Sequence, residues 1–490
     1  MKLSILYVFL FLTSLYAYTT SIHAPAVLTN EFNGSLTLIT LNLTSGNGNI
    51  SIKGPYNVSL STYESAQIAV SVATNYLNIN RDMYNYTFYI HDNGANVSGP
   101  SAGLAMTLLT VAALENKQLY PYFTVTGIIN PNGTVGLIGG VYDKVEAAKI
   151  GGMKYMLVPY TNDNFENLLY YLSQNTFNIP LIEVNNLTTA LRYAFGNVSV
   201  KGMNYSIINE SALSNNITNS IVSCTNCTNN LDNIIINVSF NLVNNVSNSI
   251  SKNFSNIKSE LAYQINQDKI FASHGYYYAA GDLAFLDFVD AFPFAFNNIN
   301  KSITYSIFNY TNNLCNINYT IPNANNYEYV AGAELRLGWA NYTITYSNLI
   351  LSSAVDSDQF IEALYNLAPA IGWCSLSRAL VSNASQISSK YYINESAIKR
   401  YLFNASKSIP NVKDEYTYAF NYLMEKQDYL GALYDLAYIK VFDTQSNLTN
   451  SEKYSFVIDH LNMSFNGVWP SQFASEAQFY IEQAQDTKNS

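Results

Sequence analysis

Ser98-Gly99-Pro100-Ser101-Ala102-Gly103-Leu104-Ala105-Met106 and, further on, Gly139-Gly140-Val141-Tyr142-Asp143-Lys144 decide how the first part of this chain is read. Gly99-Pro100 is a turn signal placed directly before Ser101. The apolar run Leu104 to Leu114 follows at helical spacing, which puts Ser101 in the first turn of a buried helix. Unpaired backbone N–H groups and the positive end of the helix dipole gather there. Such donors can hold an oxyanion, so Gly99, Pro100 and Ala102 are the expected oxyanion and substrate loop. A serine is a weak nucleophile without a base.

Between the two stretches, Tyr122 to Ile128 reads as a strand. Asn130-Pro131-Asn132-Gly133 reads as a hairpin turn, and Thr134 to Ile138 as the returning strand. The Gly139-Gly140 pair turns the chain into a helix over 141–150 with Lys144 in its first turn, and Tyr155 to Pro159 closes the unit as a strand.

These residues resemble the proteolytic domain of the Lon family of Ser-Lys peptidases. Gly99-Pro100-Ser101-Ala102-Gly103 matches the nucleophile motif of that family. Thr126-Gly127, then Gly133, Val135, Ile138, Gly139, Gly140 and Lys144, match its second pattern in order and in spacing. Ser101 and Lys144 are 43 residues apart, the family's separation. Glu64-Ser65-Ala66-Gln67 upstream and Val158-Pro159 downstream extend the resemblance from about Thr62 to about Asn162.

The resemblance implies that Ser101 attacks a peptide carbonyl, that a neutral Lys144 takes its proton, and that Thr126 orients the lysine. It implies an α/β fold like the second domain of ribosomal protein S5. A free lysine, with a pKa of ~10.4, is protonated at neutral pH and cannot be a base. The site must therefore bury the amine, and Val125, Leu137, Ile138 and Val141 are expected to do so. A helix-capping serine and a solvated lysine would supply the same two residue types. The intervening motifs, all in register, argue against that coincidence. Two positions depart from the family: Ser98 stands where an acid is usual three residues before the serine, and Ile128 where one often follows Thr-Gly.

The rest of the chain frames this domain. At 490 residues, two to three domains are expected. Only 12% of residues are charged and the net charge is −10, which argues against a nucleic-acid partner, since that would need a basic face. Met1-Lys2 and the apolar stretch to Ala17 read as a secretory signal or an uncleaved anchor over residues 1–20, too short for an ordinary span of ~20 apolar residues. Asn-x-Ser/Thr sequons recur from Asn33 and Asn42 to Asn404 and Asn462, as in a glycosylated exported chain. Low charge with abundant Tyr, Asn, Ser and Thr resembles the surface proteins of acid-living archaea. The expected location is secreted or cell-surface.

The peptidase domain is expected over 21–197, with strands at Ser35–Leu43, at Ile50–Ile52 returning after a turn, and at Tyr86–His91. A helix from Tyr63 to Leu77 is expected, capped by Thr62. The polar loop Asp92 to Ser98 leads into the serine and either borders the cleft or only connects.

Residues 198–249, rich in Asn and Ser, read as a glycosylated linker with one strand, Ile234 to Leu242. A helical domain is expected over 250–490. There the stretches 275–286 and 428–439 resemble each other loosely, as repeats or simply as packed helices. Cys224-Thr225-Asn226-Cys227, with Cys315 and Cys374, favours structural disulfides over a metal site. The four histidines are scattered, so no metal and no cofactor is expected.

No Gly-x-x-x-x-Gly-Lys-Ser/Thr phosphate loop occurs, so no ATP is expected to drive the reaction. The expected partner is a polypeptide substrate. Assembly into a homo-oligomer and membrane attachment through the N-terminus stay open. The sequence therefore reads as an exported serine endopeptidase that works without ATP. The alternatives are a cell-surface binding protein that keeps the peptidase fold, and a protein that only processes itself.

Overall fold

A computed structural model describes residues 17–28, 33–54, 59–91, 99–196, 199–204, 230–408, 414–445 and 467–487. The apolar start before Ala17, the loop from Asp92 to Ser98 and the Cys224–Cys227 pair lie outside these residues. The chain divides into two units. The first spans residues 1–205 and takes in the short segment Val355–Asp358, and the second holds the remainder.

The first unit is built on a mixed seven-stranded sheet. Its strands are β1 (Ala17–Leu28), β2 (Asn33–Ser45), β3 (Ile50–Lys53), β4 (Tyr84–His91), β5 (Phe123–Val125), β8 (Tyr155–Pro159) and β9 (Leu181–Val184). They lie in the order β3-β4-β2-β1-β5-β8-β9. β2 pairs antiparallel with β1 and with β4. β5, β8 and β9 are parallel, as crossover helices require. A separate ribbon joins β6 (Ile128–Ile129) to β7 (Val135–Gly136).

Alternation along the strands decides the faces. Ile39, Leu41 and Leu43 of β2 and Tyr86 and Phe88 of β4 point into one core. That core is closed by α1 (Leu60–Leu77) and α2 (Gly103–Leu114). α2 is buried all round from Gly103 to Ala113, as its continuous apolar run demands. Residues of the opposite parity in β2, Gly34 and Leu36, meet α3 (Val141–Ile150) instead. α4 (Asn164–Phe177) links β8 to β9, and α5 (Leu187–Ala194) follows β9.

The sequence placed α3 and β8 at their observed limits and missed several other features. β1 was not expected as a strand, and its first four residues fall inside the stretch read as a signal or anchor. Ile50 does not return against β2: β3 pairs parallel with β4. α1 starts earlier than expected, with Ser59 rather than Thr62 as its cap, and Ser59 Oγ accepts the Thr62 N–H at 3.2 Å. Pro100 fixes a single 3-10 turn over Pro100–Ala102, so Ser101 sits just before α2 and not in it.

The second unit, among the described residues, is helical. It holds α6 (Asn230–Ser249), α7 (Ser255–Ser273), α8 (Tyr277–Ala291), α9 (Lys301–Leu314) and α10 (Tyr327–Ser353). α11 (Ser357–Ala384) follows, its first two residues counted with the first unit. α12 (Glu395–Ala405), α13 (Glu415–Lys426), α14 (Tyr429–Gln445) and α15 (Val468–Thr487) complete it.

The strand expected at Ile234–Leu242 is part of α6, which also ends the expected linker early. There Leu231, Ile235 and partly buried Val238 share a core with Trp469, a three-to-four spacing that only a helix presents on one face. Cys315 and Cys374 form a disulfide, as the exported-chain reading of the cysteines anticipated for such residues. The two loosely similar stretches open α8 and α14, and each carries an Asp-Leu-Ala-aromatic run whose aspartate is buried in one case, Asp435, and half-buried in the other, Asp282. No described helix is long and apolar enough to cross a membrane.

Candidate active site

The serine is held from three sides. Its carbonyl accepts the Gly127 N–H at 2.9 Å, and the Leu104 N–H bonds the Gly127 carbonyl at 3.0 Å. From α1, Thr62 Oγ1 donates to the Gly99 carbonyl (3.3 Å) and Ser65 Oγ to the Pro100 carbonyl (3.2 Å). Gly99 adopts φ of +111°, which suits a glycine at the entry to this turn. The next glycine, Gly103, leaves no room for a side chain: a Cβ there would stand 2.6 Å from Ser65 Oγ and 3.1 Å from the Ile129 nitrogen. The opening amides of a helical turn have no carbonyl one turn back. Those of Ser101 and Ala102 are therefore the natural donors to an oxyanion beside the serine hydroxyl.

Lys144 is delivered by the first turn of α3. Gly140 starts that helix in a left-handed conformation (φ +68°), with Val27 packed where a Cβ would be. The amine Nζ donates to the Gly139 carbonyl at 2.7 Å. The residue is 4% exposed. Burial brings its pKa down to about 8, against the opposite pull of the Asp358, Asp356 and Asp143 carboxyls.

Ser101 and Lys144 line one cavity of about 200 Å³. Its walls include Gly99 and Ala102 from the serine loop, Ala24 to Val27 of β1, Thr37 and Ile39 of β2, and Thr62. The expected apolar wrapping is different: Val125, Leu137, Ile138 and Val141 do not line it, and Leu137 is 44% exposed. Residues of β1, Gly139 and the segment at Val355 line it instead. Thr126 is buried beside the serine, and its hydroxyl donates to the Ser101 carbonyl at 3.5 Å, whereas the amine bonds Gly139.

Residues 24–195 match the Lon protease (S16) C-terminal proteolytic domain. Relatives agree with this. The Lon protease of Karelsulcia muelleri is 34% identical over 151 residues, 29% of this chain and 17% of that protein. The Lon protease of Buchnera aphidicola subsp. Schizaphis graminum is 29% identical over 174 residues, covering 34% of this chain and 22% of its own length. The Lon protease of Rickettsia prowazekii is 30% identical over 185 residues, 36% of this chain and 23% of its own. The chain thus spans about a fifth of the length of these curated relatives.

One part of the site was invisible in the sequence. Asp356 lines the cavity with Ser101 and Lys144. Its neighbour Asp358 caps α3: its carboxylate accepts the Val141 N–H at 2.5 Å and the Tyr142 N–H at 2.8 Å. Asp143 of α3 reciprocates, accepting the Ser357 N–H at 2.9 Å. Asp-Ser-Asp before a helical run signals only a helix start. Nothing in it pointed to the Lon-like domain, 217 residues upstream.

Proposed function

We propose that the Lon-like domain is a serine-type endopeptidase using Ser101 and Lys144. The observation that carries this reading is that both residues line one small cavity with the amine almost fully buried. Ser101 Oγ adds to the scissile carbonyl while its proton passes to Lys144 Nζ. The oxyanion is met by the Ser101 and Ala102 amides in the Pro100–Ala102 turn. Collapse expels the amine fragment, which takes the proton from Lys144 and leaves an ester on Ser101. Lys144 then draws a proton from water, which attacks the ester and frees the serine. Thr126 acts on this pair by holding the serine's main chain. Gly99, Pro100 and Ala102 form the loop on which the substrate carbonyl rests.

The fold of this domain is proposed to be that of the second domain of ribosomal protein S5. The chain is proposed to cleave without ATP, since its 490 residues contain no phosphate loop. Its substrates would then be peptides, loops and unfolded segments. Export to the cell surface, by a cleaved signal or an N-terminal anchor, is supported by the apolar start and the many sequons.

A fluorophosphonate or peptide-boronate probe tests the reading directly. Mass spectrometry should map it to Ser101, and Ser101→Ala and Lys144→Ala should each abolish both labelling and ATP-free peptide cleavage. A folded wild-type protein that neither labels nor cleaves would leave a binding protein on a peptidase fold. Cleavage that survives both substitutions would put the chemistry elsewhere.

A further inference from the structure

Three observations converge on the four residues Val355–Asp358. They lie outside the matched Lon-like stretch, yet they are clipped to α3 by two carboxyl groups working in opposite directions. Asp358 receives the first two amides of α3, and Asp143 of α3 receives the amide of Ser357. The opening amides of a helix have no carbonyl within it to bond, so side-chain acceptors there fix where the helix starts. Between the clip and the preceding loop, Val355 and Asp356 form one wall of the cavity. Asp356 Oδ2 stands 3.8 Å from the points where Cβ atoms on Gly139 and Gly140 would be, and Gly139 is the residue that receives the Lys144 amine. Meanwhile the two positions where the Lon family usually carries acids hold Ser98 and Ile128.

We propose that Val355–Asp358 is a docked insert that supplies the active site with its acid: Asp358 positions α3, and Asp356 is the positioning residue that sets the protonation and placement of the Lys144 amine. The inference rests on the Ser101–Lys144 reading for its catalytic meaning. The carboxyls facing the amine are Asp143 on its own helix and Asp356 and Asp358 on the insert, with Glu146 adding to the field at Asp143. Of these, Asp356 is the one that lines the cavity with Ser101 and Lys144. Removing its charge favours the neutral amine. Catalysis would then extend to lower pH, while the placement of the amine would loosen.

The test is a titration of Lys144 by NMR in protein labelled with 13C-lysine, its resonance assigned by loss in Lys144→Met. Asp356→Asn is expected to lower the Lys144 midpoint by about one pH unit, and Asp356→Glu to restore it. In peptide cleavage the acid limb of kcat/KM should move by the same amount. A midpoint unchanged in Asp356→Asn overturns the proposal, whatever the enzyme does. An altered midpoint in a protein whose wild type never labels at Ser101 upholds the electrostatic pairing and sinks the peptidase reading alone. Asp358→Asn, which keeps the side chain's size, should weaken the clip and lower kcat at least tenfold. Full activity in that variant would contradict the docking.

Discussion

At the scale of the residue, the site depends on one amine kept poor in water. The active form of a general base is the neutral one, and burial has brought Lys144 to about 8. Peptide cleavage should therefore rise as pH climbs through about 8 and level off above it, read as kcat/KM across a buffer series. Lys144→Arg should be inactive throughout, because a guanidinium stays charged. Gly103 supplies a second expectation. A methyl group there meets Ser65 Oγ and the backbone of Ile129, neither of which can yield cheaply. Gly103→Ala should cost about 1–3 kcal/mol in urea unfolding and misplace Ser101, lowering probe labelling well beyond the loss of stability. Both residues were legible in the sequence, because short-range motifs dictate the turn before α2 and the start of α3. The partner of Thr126 was not, since its hydroxyl bonds the Ser101 carbonyl, a contact between residues 25 apart that only the fold brings together.

At the scale of the element, legibility followed periodicity and length. α2 announces itself by its continuous apolar run and α3 by the glycine pair at its start. β1 was hidden because Tyr18-Thr19-Thr20-Ser21 alternates too weakly, and because an apolar leader runs straight into it. α6 was misread because Asn and Ser dilute its stripe, although tertiary packing on Trp469 selects the helix. The disulfide between Cys315, which caps α9, and Cys374 in α11 gives an element-scale expectation. It closes a loop of 59 residues. Replacing both cysteines by serine should lower the stability of the helical unit by about 2–4 kcal/mol, measured by urea unfolding of the full chain. The Lon-like domain should keep its probe labelling in that variant.

At the scale of the whole molecule, buried acids set the response to pH. Burial pushes Asp435 up to about 7 and Glu334 and Asp358 up to about 8, and it raises Asp287 and Glu476, each set against a second acid. Each group holds its proton more tightly folded than unfolded. The native state therefore binds more protons between roughly pH 4 and pH 8, and stability falls as pH rises through that window. Thermal or urea midpoints should be highest near pH 4–5 and drop toward pH 8. A rise over that interval would contradict the burial of these carboxyls. Opposing trends result: the fold is firmest in acid, whereas the base is free of its proton only near the alkaline end. The composition hinted at the first trend through its scarcity of charge, but only the packing reveals which acids are sealed in.

The clip at the start of α3 has a consequence for the order in which the protein is made. Asp358 leaves the ribosome 217 residues after the helix it caps, a delay on the order of 10–40 s at ordinary rates of synthesis. During that interval the nascent chain presents its serine and lysine without the downstream aspartates. On the proposed peptidase reading, the site is thus unfinished while the chain's own tail, the nearest unfolded polypeptide, is still emerging.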